Sequence, residues 1–246
     1  MLKKPLANDS SGGQELIQFH PGDLLDLAEQ VNANATAGAA VILTGRDISS
    51  GILNRTLSIA CTDTLPTAAQ IIDAVKGSLA SAGSSLFNAN ALLGLQYQEP
   101  ALFNGVMQQP AGFRFLYINS AAFAATIAAP ANAGIITAGN SPLAVIASNW
   151  REYLVSILAG NPPQTYGVTT VNGNAVLSGF TQDQVKTLQR DMSIYGTGIA
   201  AGARILSVDV LNGTVTMSAN ATASGSLIGI TFTPTVQFYS LRSGTL

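Results

Sequence analysis

The chain has 246 residues, of which only 10% are charged, and it holds one His and one Cys. Soluble domains draw about 25% of their residues from Asp, Glu, Lys and Arg, so this composition points to surfaces held together rather than to small-molecule chemistry. A net charge of −2 leaves no basic footprint for nucleic acid, the lone Cys61 excludes an internal disulfide, and 47% hydrophobic residues exclude disorder over most of the length.

Residues 1–20 read as an extended N-terminal arm. Lys3 and Lys4 are followed by Asn8, Asp9, Ser10, Ser11, Gly12 and Gly13, not by the apolar run of a secretion signal. The arm's apolar anchors are Leu16, Ile17 and Phe19. Alone they cannot offset an ordering cost of about 1–2 kcal/mol per residue. The arm is therefore expected to order on a partner, with Lys3 and Lys4 facing an acidic surface.

Asp23 at an N-cap position, then Leu24, Leu25, Leu27, Ala28 and Val31 at helical spacing, predict a short helix. Residues 40–45 and 48–59 read as strand-like. Thr67 and Gln70 form a capping box after Pro66, and Ala68, Ile71, Ile72, Val75 and Leu79 make one apolar helix face, with Gly77 as the expected stop. From about residue 85 to 160 the texture is that of strands. Residues 113–119, 123–127, 143–147 and 153–158 are separated by Asn, Gly and Ser clusters, which predicts an antiparallel sandwich or barrel. The most apolar stretch, 121–136, is broken by Pro130, Asn132 and Gly134 and is too short to cross a bilayer.

Pro162 and Pro163 mark the predicted domain boundary, because two prolines carry no backbone donor. Beyond them, Asn172-Gly173 and Asn212-Gly213 are hairpin signals. The second is expected to join arms 205–211 and 214–218. Thr181 and Gln184 form another capping box, with Val185 and Leu188 facing inward, and 226–233 reads as a final strand. The expected organisation is an arm over 1–20, a β-rich main domain with one or two short helices over 21–160, a smaller β sandwich or barrel over 165–236, and a tail over 237–246.

No motif carries catalytic chemistry. Gly196, Gly198 and Gly202 are misplaced for a dinucleotide loop and read as turn glycines. His20 has no companions for a metal, which needs three or four ligands. Asp23, Asp26 and Glu29 read as a solvated helix face, and Asp183 and Asp191 flank another helix, rather than forming carboxyl pairs about 5–9.5 Å apart across a cleft. Cys61 reads as a small buried hydrophobe. Its neighbour Asp63 disfavours the thiolate.

The run Gly51-Ile52-Leu53-Asn54-Arg55-Thr56, followed by Thr62-Asp63-Thr64-Leu65-Pro66-Thr67-Ala68, resembles a strand, turn and helix pattern of structural virion proteins of tailed phages. Tyr117-Ile118-Asn119-Ser120 and Asn149-Trp150-Arg151-Glu152-Tyr153-Leu154 are similar to their later strands. The phrase from Met192 to Gly202 looks like small β modules appended to phage head and fibre proteins. The resemblance implies a capsid decoration (cement) protein in the virion, with a tail fibre, spike subunit or glycan-binding adhesin as the alternative. It further implies no enzymatic activity, no cofactor and no metal. The expected partners are the major capsid protein and further copies of the chain, a trimer by preference, with no nucleic acid and no membrane.

Overall fold

The computed structural model describes residues 2–3, 24–25, 30–32, 40–81, 111–138 and 143–246, with side chains over 40–75, 112–137 and 143–246. Among the described residues the chain is mainly β, with several sheets and three short helices. It divides into two compact units. The described residues up to Ile157, together with Val236–Leu246, form the first, and Leu158–Thr235 lie in the second.

The first unit contains β1 (Leu2–Lys3), β2 (Leu24–Leu25), β3 (Gln30–Asn32), α1 (Gly45–Ser49), β4 (Gly51–Arg55), β5 (Cys61–Thr64), α2 (Ala68–Ser81), β6 (Ala111–Asn119), β7 (Ala125–Ala128), β8 (Ile135–Ala138), β9 (Leu143–Val145), β10 (Asn149–Ala159) and, after the second unit, β17 (Thr235–Thr245). Strand β6 is the hub of an eight-stranded sheet. One edge pairs antiparallel with β10. The other pairs parallel with β4 and with β2. Strands β3 and β1 add parallel to β4 and β2, and β17 and β8 follow β10, with β8 parallel to β17. The sheet is therefore mixed rather than antiparallel. Parallel partners need long crossovers, and the segment carrying β5 and α2 lies between β4 and β6.

Alternation makes β6 a half-buried strand: Phe113, Phe115 and Tyr117 are buried. Tyr153 and Val155 of β10 are opposite Phe115 and Phe113 in register. Tyr153 stacks on Phe115 at 6.1 Å and meets Phe238 of β17 edge-on at 6.3 Å. A second sheet, β5-β7-β9, buries Ala125, Ile127, Leu143 and Val145. Helix α2 buries Ala68, Ile71, Ile72 and Val75, and α1 buries Ile48. Each large side chain so buried contributes about 1.5–3 kcal/mol.

The second unit contains β11 (Gln164–Thr170), β12 (Val176–Leu177), α3 (Gln182–Lys186), β13 (Ser193–Tyr195), β14 (Ile205–Asp209), β15 (Thr214–Met217) and β16 (Gly225–Thr233). Its two antiparallel sheets, β11-β16-β13 and β12-β15-β14, contribute to one core. Val168, Ile194, Ile230 and Phe232 come from the first sheet, Leu177, Ile205, Val215 and Met217 from the second, and Val185 and Leu188 from α3 and its end.

Several expectations are corrected by pairing over long sequence distance. The predicted helix after Asp23 is replaced by β2 and β3, whose residues pair with β6 and β4. Of residues 40–45, Ile42 makes only an isolated bridge to Thr64, and Thr44 opens α1 through a capping box with Asp47. Helix α2 runs past Gly77 to Ser81, since a glycine weakens a helix without stopping it. Asn172-Gly173 lies in a turn closed by the Asn174 N–H donating to Val171 O at 2.9 Å, but the returning chain pairs antiparallel with β11 only at the bridge Thr169–Ser178. The turn carries the chain from β11 into the other sheet, with the Gly173 N–H donating to Ala221 O at 2.9 Å. At Asn212-Gly213 the hairpin holds, but β14 ends at Asp209, whose carboxylate accepts from the Asn212 backbone and side chain at 3.1 and 2.6 Å. Residues 237–246, expected as a tail, lie largely in β17. The division between units falls at Ile157/Leu158, just before Pro162 and Pro163. In the arm, Leu2–Lys3 forms β1, and the remaining residues lie outside those described. Among the described residues no helix is long and apolar enough to cross a membrane.

Candidate functional site

The strongest charged constellation is the trio Arg55, Asp63 and Tyr117. Arg55 ends β4, and Tyr117 lies on β6, in register with Leu53 two residues earlier. Asp63 lies on β5, in the other sheet. Arg55 donates through Nε to Asp63 Oδ2 at 2.9 Å and through Nη2 to Oδ1 at 3.0 Å, a bidentate fork. Tyr117 donates its hydroxyl to Oδ2 at 2.9 Å, and the Val41 N–H donates to Oδ1 at 3.1 Å. The carboxylate is thereby saturated, and its hydrogen bonds tie the eight-stranded sheet to the three-stranded one. Exposure is 1% for Arg55 and 0% for Asp63 and Tyr117.

Burial acts to lower the Arg55 pKa, but the hydrogen bond and charge of Asp63 outweigh it and the net shift is upward. Burial, then the charge and hydrogen bond of Asp63, push the Tyr117 phenol well above its ordinary range. Burial and Asp63 also push the Cys61 thiol up, with its Sγ 3.8 Å from Asp63 Oδ1. A raised thiol is a poor nucleophile at neutral pH. The trio is a buried clamp between the two sheets.

A second charged group lies on the strand pair β6–β10 and on β17. Glu152 accepts from Arg114 Nη1 at 3.2 Å and from Arg242 Nε. The Arg242 guanidinium also sits over the Trp150 ring at 5.8 Å from its centroid. A Cβ on Gly244 would fall 2.8 Å from the same indole, so any other residue there would have to displace the Trp150 ring. Glu152 is buried while both arginine side chains are more than half exposed, which leaves the group with a net positive face.

Large apolar side chains also stand in solvent. Ile59, Phe123 and Ile146 are exposed at one end of the β5-β7-β9 sheet, beside the register Cys61–Ala125–Val145. In the second unit Leu211 and Leu227 are exposed to 85% and 83%.

Of the residues expected to bind a partner, Lys3 lies in β1, in register with Leu25, and its side chain is outside the described residues. Lys4, Leu16, Ile17 and Phe19 lie outside them entirely, as do His20, Asp23, Asp26 and Glu29. Asp183 pairs with Lys186 at 3.2 Å, and Asp191 with Arg190 and Arg204 at 3.7 and 3.5 Å. Gly196, Gly198 and Gly202 all have positive φ and lead into strand β14 rather than a helix. No group of three His, Cys, Asp or Glu able to hold a metal occurs among the described residues. The Arg55–Asp63 pairing was missed in the sequence, although both residues belong to the two motif runs noted there. The available signal was their position as rare charges inside apolar strands. Comparison of the chain with protein families, with characterised proteins and with solved structures finds no match.

Proposed function

We propose that the chain is a virion structural protein, a capsid decoration (cement) protein that bridges major capsid protein subunits on the head of a tailed phage. The observation that supports this reading most is the distribution of chemistry among the described residues. The best charged constellation is locked inside as a clamp, while Ile59, Phe123, Ile146, Leu211 and Leu227 face outward. Exposed apolar side chains beside few charges suit surfaces that become buried between chains, since obligate interfaces are more apolar than free surface. In this reading the second unit is a small β sandwich formed by its two sheets over their common core. The protein acts mechanically, without enzymatic activity or cofactor. Its copies associate and cover seams between capsid subunits, and the added buried area resists the pressure of packaged DNA.

Quantitative mass spectrometry of purified heads and tails of the encoding phage tests this. The protein is expected in heads at a fixed ratio to the major capsid protein, and heads lacking it should lose DNA at lower temperature. Recovery in the tail fraction alone would replace the reading with the fibre, spike or adhesin alternative.

A further inference from the structure

Two Asn-Gly pairs occur among the described residues, Asn172-Gly173 and Asn212-Gly213, and a third, Asn104-Gly105, lies outside them. Glycine carries no Cβ to shield its backbone nitrogen. That nitrogen can attack the side-chain carbonyl carbon of the preceding asparagine. A new C–N bond closes a succinimide ring, and the side-chain nitrogen leaves as ammonia, taking the backbone proton with it. Water then opens the ring at either carbonyl and leaves aspartate or isoaspartate. The reaction needs a free side-chain amide, a backbone nitrogen that can lose its proton, and room for the ring.

The first pair meets these needs. Asn172 and Gly173 are both exposed in the turn after β11. Gly173 has φ +79° while Asn172 does not have positive φ, the pattern of a type II turn. A Cβ added at Gly173 would meet nothing within 4 Å, so the ring has space. The Asn172 backbone N–H donates to Ser224 Oγ at 2.9 Å, but its side chain has no hydrogen-bond partner among the described residues. One bond stands in the way, the Gly173 N–H to Ala221 O at 2.9 Å. Single bonds at exposed turns open locally at far less cost than global unfolding.

The second pair is held on every count. Asn212 donates its backbone N–H to Asp209 Oδ1 at 3.1 Å and its side-chain amide to Asp209 Oδ2 at 2.6 Å. Gly213 is buried, and an added Cβ would lie 2.5 Å from Phe180 O. The carboxylate also opposes the chemistry by charge. It disfavours the loss of a proton from the adjacent Gly213 nitrogen, and it disfavours a second carboxylate beside it. The hydrogen bonds from Asn212 lower the Asp209 pKa, so Asp209 stays charged and is a weak base for that proton.

We propose that Asn172 is a site of spontaneous deamidation through a succinimide, and that Asp209 protects Asn212 from the same reaction. The modification sets a new negative charge on an exposed turn of the second unit. In its isoaspartate form it also lengthens the main chain by one carbon beside the Gly173–Ala221 hydrogen bond. The chemistry is the chain's own and does not rest on the virion reading.

Peptide mapping of the full chain, aged in mildly alkaline water enriched in heavy oxygen, tests it. Labelled aspartate and isoaspartate are expected at position 172, forming faster as pH rises because the nitrogen must lose its proton. A hydrogen bond to a charged group that must break before reaction slows it by at least about tenfold, so product at 212 should form slower than at 172 by that factor or more. Asp209→Ala should raise the rate at 212 by about tenfold and leave the rate at 172 unchanged. Asp209→Ser, which keeps a polar group without the charge, is read in its place if circular dichroism shows that the alanine variant has lost its fold. Absence of labelled product at 172, or equal rates at 172 and 212 in the parent, overturns the proposal. So does an unchanged rate at 212 in the folded Asp209 variant.

Discussion

Asp63 holds its position by accepting from two arginine nitrogens, a phenol and a backbone N–H. Asp63→Asn keeps the shape but takes the carboxylate from a buried guanidinium. Breaking a buried pair in this way costs about 3–5 kcal/mol, and urea unfolding of the variant should show a loss of that size. A loss under about 1 kcal/mol would mean that the clamp is not a stabilising tie. Tyr153 poses the opposite case. Its hydroxyl is buried and has no hydrogen-bond partner among the described residues. Burial raises its pKa from the ordinary 10.0 to about 12, and nearby Arg151 offsets part of the rise. Tyr153→Phe should therefore stabilise the chain at neutral pH by about 1–2 kcal/mol, the penalty of an unsatisfied buried group. Because the folded pKa is the higher one, the folded state holds the proton more tightly. That contribution is complete below about pH 10 and is lost as pH rises through about 12. Two pKa units amount to about 2–3 kcal/mol. Chemical unfolding between pH 9 and 12 should fall more steeply for the parent than for Tyr153→Phe, and parallel curves would refute the assignment.

At the scale of elements, the capping boxes were legible and the partners of strands were not. Thr67 with Gln70, and Thr181 with Gln184, close the reciprocal hydrogen bonds that their spacing predicts. The box at Thr44 and Asp47 has the same signature and opens α1 within a segment that reads as strand. Residues 24–32 show helical periodicity and yet supply β2 and β3, because edges of β6 and β4 compete for them. Helix α1 meets α2 at Gly45, where an added Cβ would lie 2.1 Å from the Gln70 carbonyl oxygen and 3.0 Å from Ala74 Cβ. Backbone cannot yield as a side-chain end can. Gly45→Ala is expected to cost about 3 kcal/mol, at the upper end of overpacking effects. A melting temperature unchanged from the parent would show that the two helices can separate freely.

On the scale of the whole molecule, the described residues of the second unit form an insertion. The chain leaves the first unit after Ile157 in β10 and re-enters it at Val236 in β17, and these strands are neighbours in one sheet. An insert that departs and returns on adjacent strands places its ends close together, which favours independent folding. Its core is internal, drawn from both of its sheets and α3. A fragment of residues 158–235 should therefore unfold cooperatively by circular dichroism and calorimetry. A fragment with no thermal transition would show that the first unit is needed to hold it together.

Alternation in 113–119, the two sequence-read capping boxes, the inward Val185 and Leu188 and the mainly β character could all be read from the chain itself, because each depends on residues within a few positions. Tertiary structure alone decided that Arg55, Asp63 and Tyr117 meet, that parallel pairs flank β6, and that 237–246 lie largely in a strand. These depend on register between segments tens of residues apart, and side-chain periodicity is identical for every partner a strand could choose.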